Sequence, residues 1–239
     1  MRDLIAAEWL KLRALRSTRW TVLLTVLTAV AAAVIAAKAK PAADELDLSD
    51  GFPLADCLAL VVVAVSSGAA TMISDYGSGL LRATTVAVPA RAELVLAKAA
   101  VLAALWTVTG AVATVAAFTV SGLMLGDLSF TAEGTAAAFA AATLIAPVCA
   151  LVGLGLAVVL RHGGTTYVTG VMLLVVAPQL VTANHAMLVP AWQRLTRSYG
   201  PPEVVGDLYA TVTQAWLAYL LWPLLVIAAA LVTHHRRDV

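Results

Sequence analysis

Apolar residues in this chain run in long blocks, unlike the alternation of a half-buried strand or the single stripe of a soluble helix. Six blocks approach or exceed the roughly 20 residues that a helix needs to cross a hydrocarbon core about 30 Å thick. They cover 20–37, 53–73, 94–125, 134–160, 165–181 and 209–232, and their centres are uncharged. In hydrocarbon every backbone N–H and C=O must be satisfied within the structure. The pattern therefore predicts an all-α integral membrane protein, one transmembrane domain over 1–239 with six spans. Pro147, Pro178 and Pro223 fall inside spans and predict kinks. The spacing Gly122-x-x-x-Gly126 would allow a close helix approach, a spacing that also arises readily by chance in a chain this rich in Ala and Gly.

Composition supports this reading. Of 239 residues 62% are hydrophobic and 12% charged, against about 25% charged in a typical soluble domain. The mean hydropathy is +0.93, which excludes a single water-soluble core. A net charge of +1 leaves no electrostatic footprint for nucleic acid. The two cysteines, Cys57 and Cys149, lie within apolar runs and form neither a disulfide framework nor a CxxC site. Arginine far exceeds lysine beside abundant Ala, Val and Gly, a usage that suits a high-GC bacterial genome.

Basic residues orient the spans, because short cytoplasmic segments carry the excess of Lys and Arg. The N-terminal tail, the segment between spans two and three, the turn between spans four and five, and the C-terminus together hold eleven basic and five acidic residues. The opposite side holds four and nine. Both termini are therefore expected on the cytoplasmic side of a bacterial inner membrane.

Residues 1–19 carry a partial helical stripe of Ile5, Trp9 and Leu12, interrupted by Glu8. A charged leader of this length is long for a signal peptide. It reads as a helix lying along the inner leaflet, with Trp9 and Trp20 at headgroup level.

No reactive constellation is present: there is no GxxxxGK[ST], HExxH or GxSxG, and His162, His185, His234 and His235 stand away from clustered carboxylates. No catalytic or metal-binding residue is assigned. Ion-coupled transporters place ionisable groups near the bilayer centre; here the mid-span polar residues are small hydroxyls such as Ser66, Ser67 and Thr107, the candidates for a translocation path.

The segment 74–93 between spans two and three is longer than a turn requires. It reads as a short helix that Ser74 or Asp75 caps and Pro89 stops. The outer segment 182–208 is also long and contains Trp192 and Tyr199, which suit a membrane interface.

Two stretches carry a resemblance. The first is Glu8-Trp9-Leu10-Lys11-Leu12-Arg13, followed by Arg16 and Arg19-Trp20. The second runs from Asp75, Tyr76, Gly77 and Gly79 through Arg82 to Pro89 and Arg91, continued by Glu93 and Lys98. Together with the six-span layout they resemble the permease subunits of bacterial type-2 ABC exporters. Asp75 stands where a Glu is more usual in that family. The resemblance implies that 1–19 is an interfacial elbow helix built on Glu8, Trp9, Lys11, Arg13 and Arg16. It implies that 74–93 is a coupling segment docking on an ATPase through Asp75, Tyr76, Gly77, Gly79, Arg82, Pro89 and Arg91. It also implies short helices in 182–208 that cap the outer end of the path. The chain itself would then need no cofactor and carry no ATPase site. ATP and Mg would sit on two partner ATPase subunits, and a second permease chain, identical or related, would complete the path through the lipid. The expected function is export of a hydrophobic or amphipathic compound such as a drug, antibiotic, lipid or peptide. The alternative is a structural or sensory membrane subunit that transports nothing.

Overall fold

The computed structural model describes residues 2–40, 48–53, 58–78, 91–126, 135–180, 187–197 and 211–236. The described residues are helical and contain no strand, and six helices are long and apolar enough to cross a membrane. In chain order the helices are α1 (Arg2–Ala14), α2 (Arg16–Ala39), the single turn α3 (Leu48–Gly51), α4 (Leu58–Gly77), α5 (Arg91–Leu125), α6 (Thr135–Leu160), α7 (Gly163–Leu180), α8 (Leu188–Arg197) and α9 (Val212–Arg236). The chain is a multi-pass membrane protein.

Helix α6 is the axis. It packs against α4, α5, α7, α8 and α9, and it is the most buried of the six long helices. Lipid tails are as apolar as leucine, so helices in a bilayer associate through close packing and not through escape from water. The residues at α6 follow that rule. A Cβ placed on Gly68 of α4 would overlap the carbonyl of Ala150, and one on Gly153 would overlap the carbonyl of Val65. Gly110 of α5 lies in the same way against the carbonyl of Thr143, and Gly155 against Val226 of α9. Alanines 64, 69, 141, 146, 150 and 157 fill the surrounding core. Pro147, four residues beyond Thr143, has no N–H to give that carbonyl. Gly110 brings the α5 backbone onto it.

Of the two glycines expected to permit close approach, Gly126 serves the end of its helix. Gly126 has a φ of +94° and its N–H bonds the Gly122 carbonyl at 3.1 Å, so it ends α5 in the left-handed conformation, with nothing near its Cβ position. Arg161 ends α6 similarly at φ 56°, and His162 then caps α7 through its ring, which accepts from the Thr165 N–H. Pro178 is accommodated by a widened π segment, Met172–Val176, immediately before it. Extra width in that turn relieves the clash between the proline ring and the preceding carbonyl.

The two ends of the bundle differ in chemistry. At one end Phe52, Phe118 and Phe139 pack with ring centroids 4.7 to 5.6 Å apart, and Lys40 pairs with Asp50. Helix α8 closes this end against α6 and α9. Trp192, expected at a membrane interface, is instead fully buried there. Leu188, Trp192 and Leu195 of its helix face inward, and Arg194 and Thr196 of the same helix are buried as well. Tyr219 of α9 ties the same end together by donating to the Ala141 carbonyl at 2.6 Å. Residues 54–57, with Asp56 and Cys57, and Tyr199 lie outside the described residues.

Gly153→Val should destabilise the bundle by about 1–3 kcal/mol, because backbone rather than a movable side chain blocks the new methyls. Gly77→Ala, where nothing lies within 4 Å, should be neutral or slightly stabilising. Reversible unfolding of the purified chain in a mixed-detergent titration measures both; equal behaviour of the two variants would contradict the packing described.

Candidate functional site: a buried ion cluster at the α1 end

At the other end of the bundle four charged side chains meet. α1 is one-sided, but its inward stripe is not Ile5, Trp9 and Leu12. Leu4, Ile5, Glu8, Lys11 and Leu12 turn inward, whereas Trp9 is 43% exposed. Glu8 does not interrupt the packing face; it belongs to it. α1 stops at Leu15, a single extended residue with φ −72° and ψ 120°, before α2 begins at Arg16. One extended residue turns the chain sharply and lays α1 against α5 as well as α2.

Glu8 Oε2 lies 2.8 Å from Lys98 Nζ, and the same ammonium lies 2.6 Å from Asp75 Oδ2. The other oxygen of Asp75 accepts from Lys11 Nζ. The Asp75 and Lys98 side chains are only 5% and 2% exposed. Two cations and two anions therefore form a neutral chain, Glu8–Lys98–Asp75–Lys11, that joins α1, the last turn of α4 and the first turns of α5. Burying any one of these charges alone would be costly. Together, each has an opposite partner at hydrogen-bond distance.

This arrangement changes the picture of 74–93. α4 does not stop at Ile73 but continues to Gly77, so Ser74 and Asp75 lie within its last turns and do not cap a new helix. The Ser74 hydroxyl donates back to the Thr71 carbonyl at 3.2 Å. The Asp75 carboxylate is engaged inside the chain. Gly77 is helical and not in the positive-φ region, so its value at this place is not a left-handed turn. Tyr76 lies under the Arg161 guanidinium, 5.9 Å from ring centroid to Cζ, which ties the end of α6 to α4. The backbone of Arg91 opens α5. Gly79, Arg82 and Pro89 lie outside the described residues.

Beside the cluster is a cavity of about 260 Å³ between α1, α2, α4 and α5. Leu12, Leu102 and Trp106 line it on the apolar side, and Ser67, Thr71 and Ser74 on the polar side. Of the three residues expected along a path, Ser67 reaches this cavity, while Ser66 and Thr107 are half-buried elsewhere. The Ser67 and Thr71 hydroxyls donate to their own helix carbonyls, at 3.3 and 2.7 Å. Arg13 and Arg16 are exposed at the corner of α1 and α2. Among the described residues no three His, Cys, Asp or Glu side chains gather where they could hold a metal ion.

No family model matches the chain, and no curated relative matches it either.

The sequence carried one signal of the cluster that its periodicity obscured. Lys98 stands between alanines, two turns into an apolar helix. A lysine so placed needs an anion, and the carboxylates within reach are on other elements.

Lys98→Met leaves Glu8 and, in part, Asp75 without a cation and should cost about 3–5 kcal/mol. Lys98→Met combined with Glu8→Gln should recover part of that loss, because the stranded carboxylate is gone. Unfolding midpoints for the single variants and the double form a cycle. Additive losses would show that Glu8 and Lys98 do not interact.

Proposed function

We propose that the chain is the membrane-spanning permease subunit of an ATP-driven exporter of the type-2 ABC class, moving a hydrophobic or amphipathic compound with energy from separate cytoplasmic ATPase subunits. The observation that carries this reading is the ion cluster. It fastens α1 to the end of α4 and the start of α5, the two anchor points of the intervening inner segment. A partner pressing on that segment would act on three helices at once. On this reading α1 is the elbow on the inner leaflet, 79–90 is the docking element, and the cluster is the joint between them. The uncharged span interiors fit a translocator with no ion gradient of its own. Coupling then requires that the two states of the membrane domain bind the ATPase pair differently.

Orientation is tested by single cysteines at Asp44, Asp127 and Glu203, and at Ser78 and Asp238, in a chain lacking Cys57 and Cys149. A membrane-impermeant thiol reagent outside sealed cells should label the first three positions only. Labelling at Ser78 would reverse the assignment.

Coupling is tested at Arg82, which is expected to make a charge-assisted contact with the partner. Arg82→Ala should weaken co-purification of the cytoplasmic ATPase by tenfold or more, corresponding to about 1.5–3 kcal/mol. Stability of the isolated chain should be unchanged. Isolation of a stable chain that never retains an ATPase, with reconstituted vesicles that move nothing when ATP and the neighbouring ATPase are supplied, would favour the structural or sensory alternative.

A further inference from the structure

The corner between α1 and α2 has a second feature, separate from the ion cluster. On its outer side an open groove of about 460 Å³ is lined by Trp9, Leu12, Val22, Leu23, Val26 and Leu105, with Arg13 and Arg19 at its rim. A shallower cleft beside it, formed by Arg16, Arg19, Trp20 and Leu23, shares Arg19 and Leu23 with the groove. Two arginines thus border the apolar groove and a third, Arg16, borders the adjoining cleft, and neither lining includes an acidic residue. Glu8, on the inward stripe of the same helix, is already paired with Lys98. One of the arginines is positioned by the fold: Arg19 Nη2 donates to the Arg13 carbonyl at 3.3 Å, across the bend at Leu15.

We propose that this groove is a binding site for one anionic glycerophospholipid, in the leaflet at the α1 end of the bundle. Charge complementarity selects the occupant. The phosphate would rest among Arg13, Arg16 and Arg19, where guanidinium groups offer paired donors to phosphate oxygens. The first part of an acyl chain would lie along Leu23, Val26 and Leu105. Arg19 and Val26 are seven residues apart, which on a helix is about 10 Å, so the polar and apolar parts of the site follow each other as headgroup and chain do in a lipid. Trp20, 70% exposed beside the arginines, suits the boundary between headgroups and hydrocarbon. A lipid held in this way spans α1, α2 and α5 and braces the corner from outside, opposite the ion cluster that holds it from within.

The test is native mass spectrometry of the purified chain with phosphatidylglycerol and phosphatidylcholine of identical acyl chains. The chain should retain one phosphatidylglycerol in preference to phosphatidylcholine. Arg13→Gln with Arg19→Gln should reduce that preference roughly thirtyfold, since each surface cation contributes about a fivefold attraction to an anionic lipid. Arg13→Lys with Arg19→Lys, which keeps both charges, should retain most of it and also serves if the glutamine pair fails to fold. Val26→Trp fills the groove without altering charge and should likewise abolish tight retention. Retention unchanged in Val26→Trp, with loss only in the glutamine pair, would mean diffuse attraction to headgroups and overturn the groove site. Displacement of the lipid by millimolar inorganic phosphate or glycerol 3-phosphate would mean a free-anion site and overturn the lipid assignment. No preference for phosphatidylglycerol in the unaltered chain would overturn it outright.

Discussion

Backbone contact at α6 is the constraint on which everything else in this bundle depends. Water does not drive apolar helices together once both are surrounded by lipid, so what remains is van der Waals contact and hydrogen bonding. Gly68 against Ala150, Gly153 against Val65, Gly110 against Thr143 and Gly155 against Val226 bring α4, α5 and α9 closer to α6 than side chains would allow. That closeness sets the positions of α4 and α5, and hence the places where Asp75 and Lys98 emerge. Larger residues at these crossings would separate the helices and pull the charged groups out of hydrogen-bond range.

The outward surfaces show the complement. α2 exposes Leu23, Leu24, Leu27 and Ile35, and α9 exposes Leu217, Leu220, Leu221, Leu224 and Leu225. In water such faces would aggregate; against acyl chains they have no reason to be covered. Glycine and alanine mark the closest helix crossings, yet large side chains such as Trp106, Met72, Ile145 and Leu154 are also fully buried between them. Hydrophobic blocks therefore predict the existence of spans but not their neighbours, because the buried and the outward faces are both apolar.

Much of the architecture was legible for that reason, and the charged site was not. Block length predicts six long helices, and α6 and α5 run close to the expected 134–160 and 94–125. The ends shift where polar residues are satisfied inside the protein. α4 passes Ile73 and includes Asp75 because Lys11 and Lys98 supply cations there. Glu8 breaks a one-dimensional stripe for the same reason: its partner lies ninety residues further along the chain. Trp192 belongs to a short helix whose apolar side is buried by α6 and α9, and an interfacial tryptophan and a core tryptophan are alike in sequence. Gly126 matched a packing motif by its spacing from Gly122, but it serves the helix end.

The ion cluster differs from a simple pair in a way that bears on motion. A buried pair resists separation strongly, because parting leaves two bare charges. Here Lys98 bridges Glu8 and Asp75, and Asp75 bridges Lys98 and Lys11. If α1 swings so that Glu8 leaves, Lys98 keeps Asp75. The released Glu8 is 14% exposed at its side chain already, so it does not have to cross the packed core to leave. If Lys11, 30% exposed at its side chain, leaves as well, the inner Asp75–Lys98 pair between α4 and α5 still stands. The outer members are therefore the replaceable ones and the inner pair the fixed one. On the proposed reading this grading lets α1 hinge about Leu15 while the Asp75–Lys98 pair keeps α4 and α5 registered.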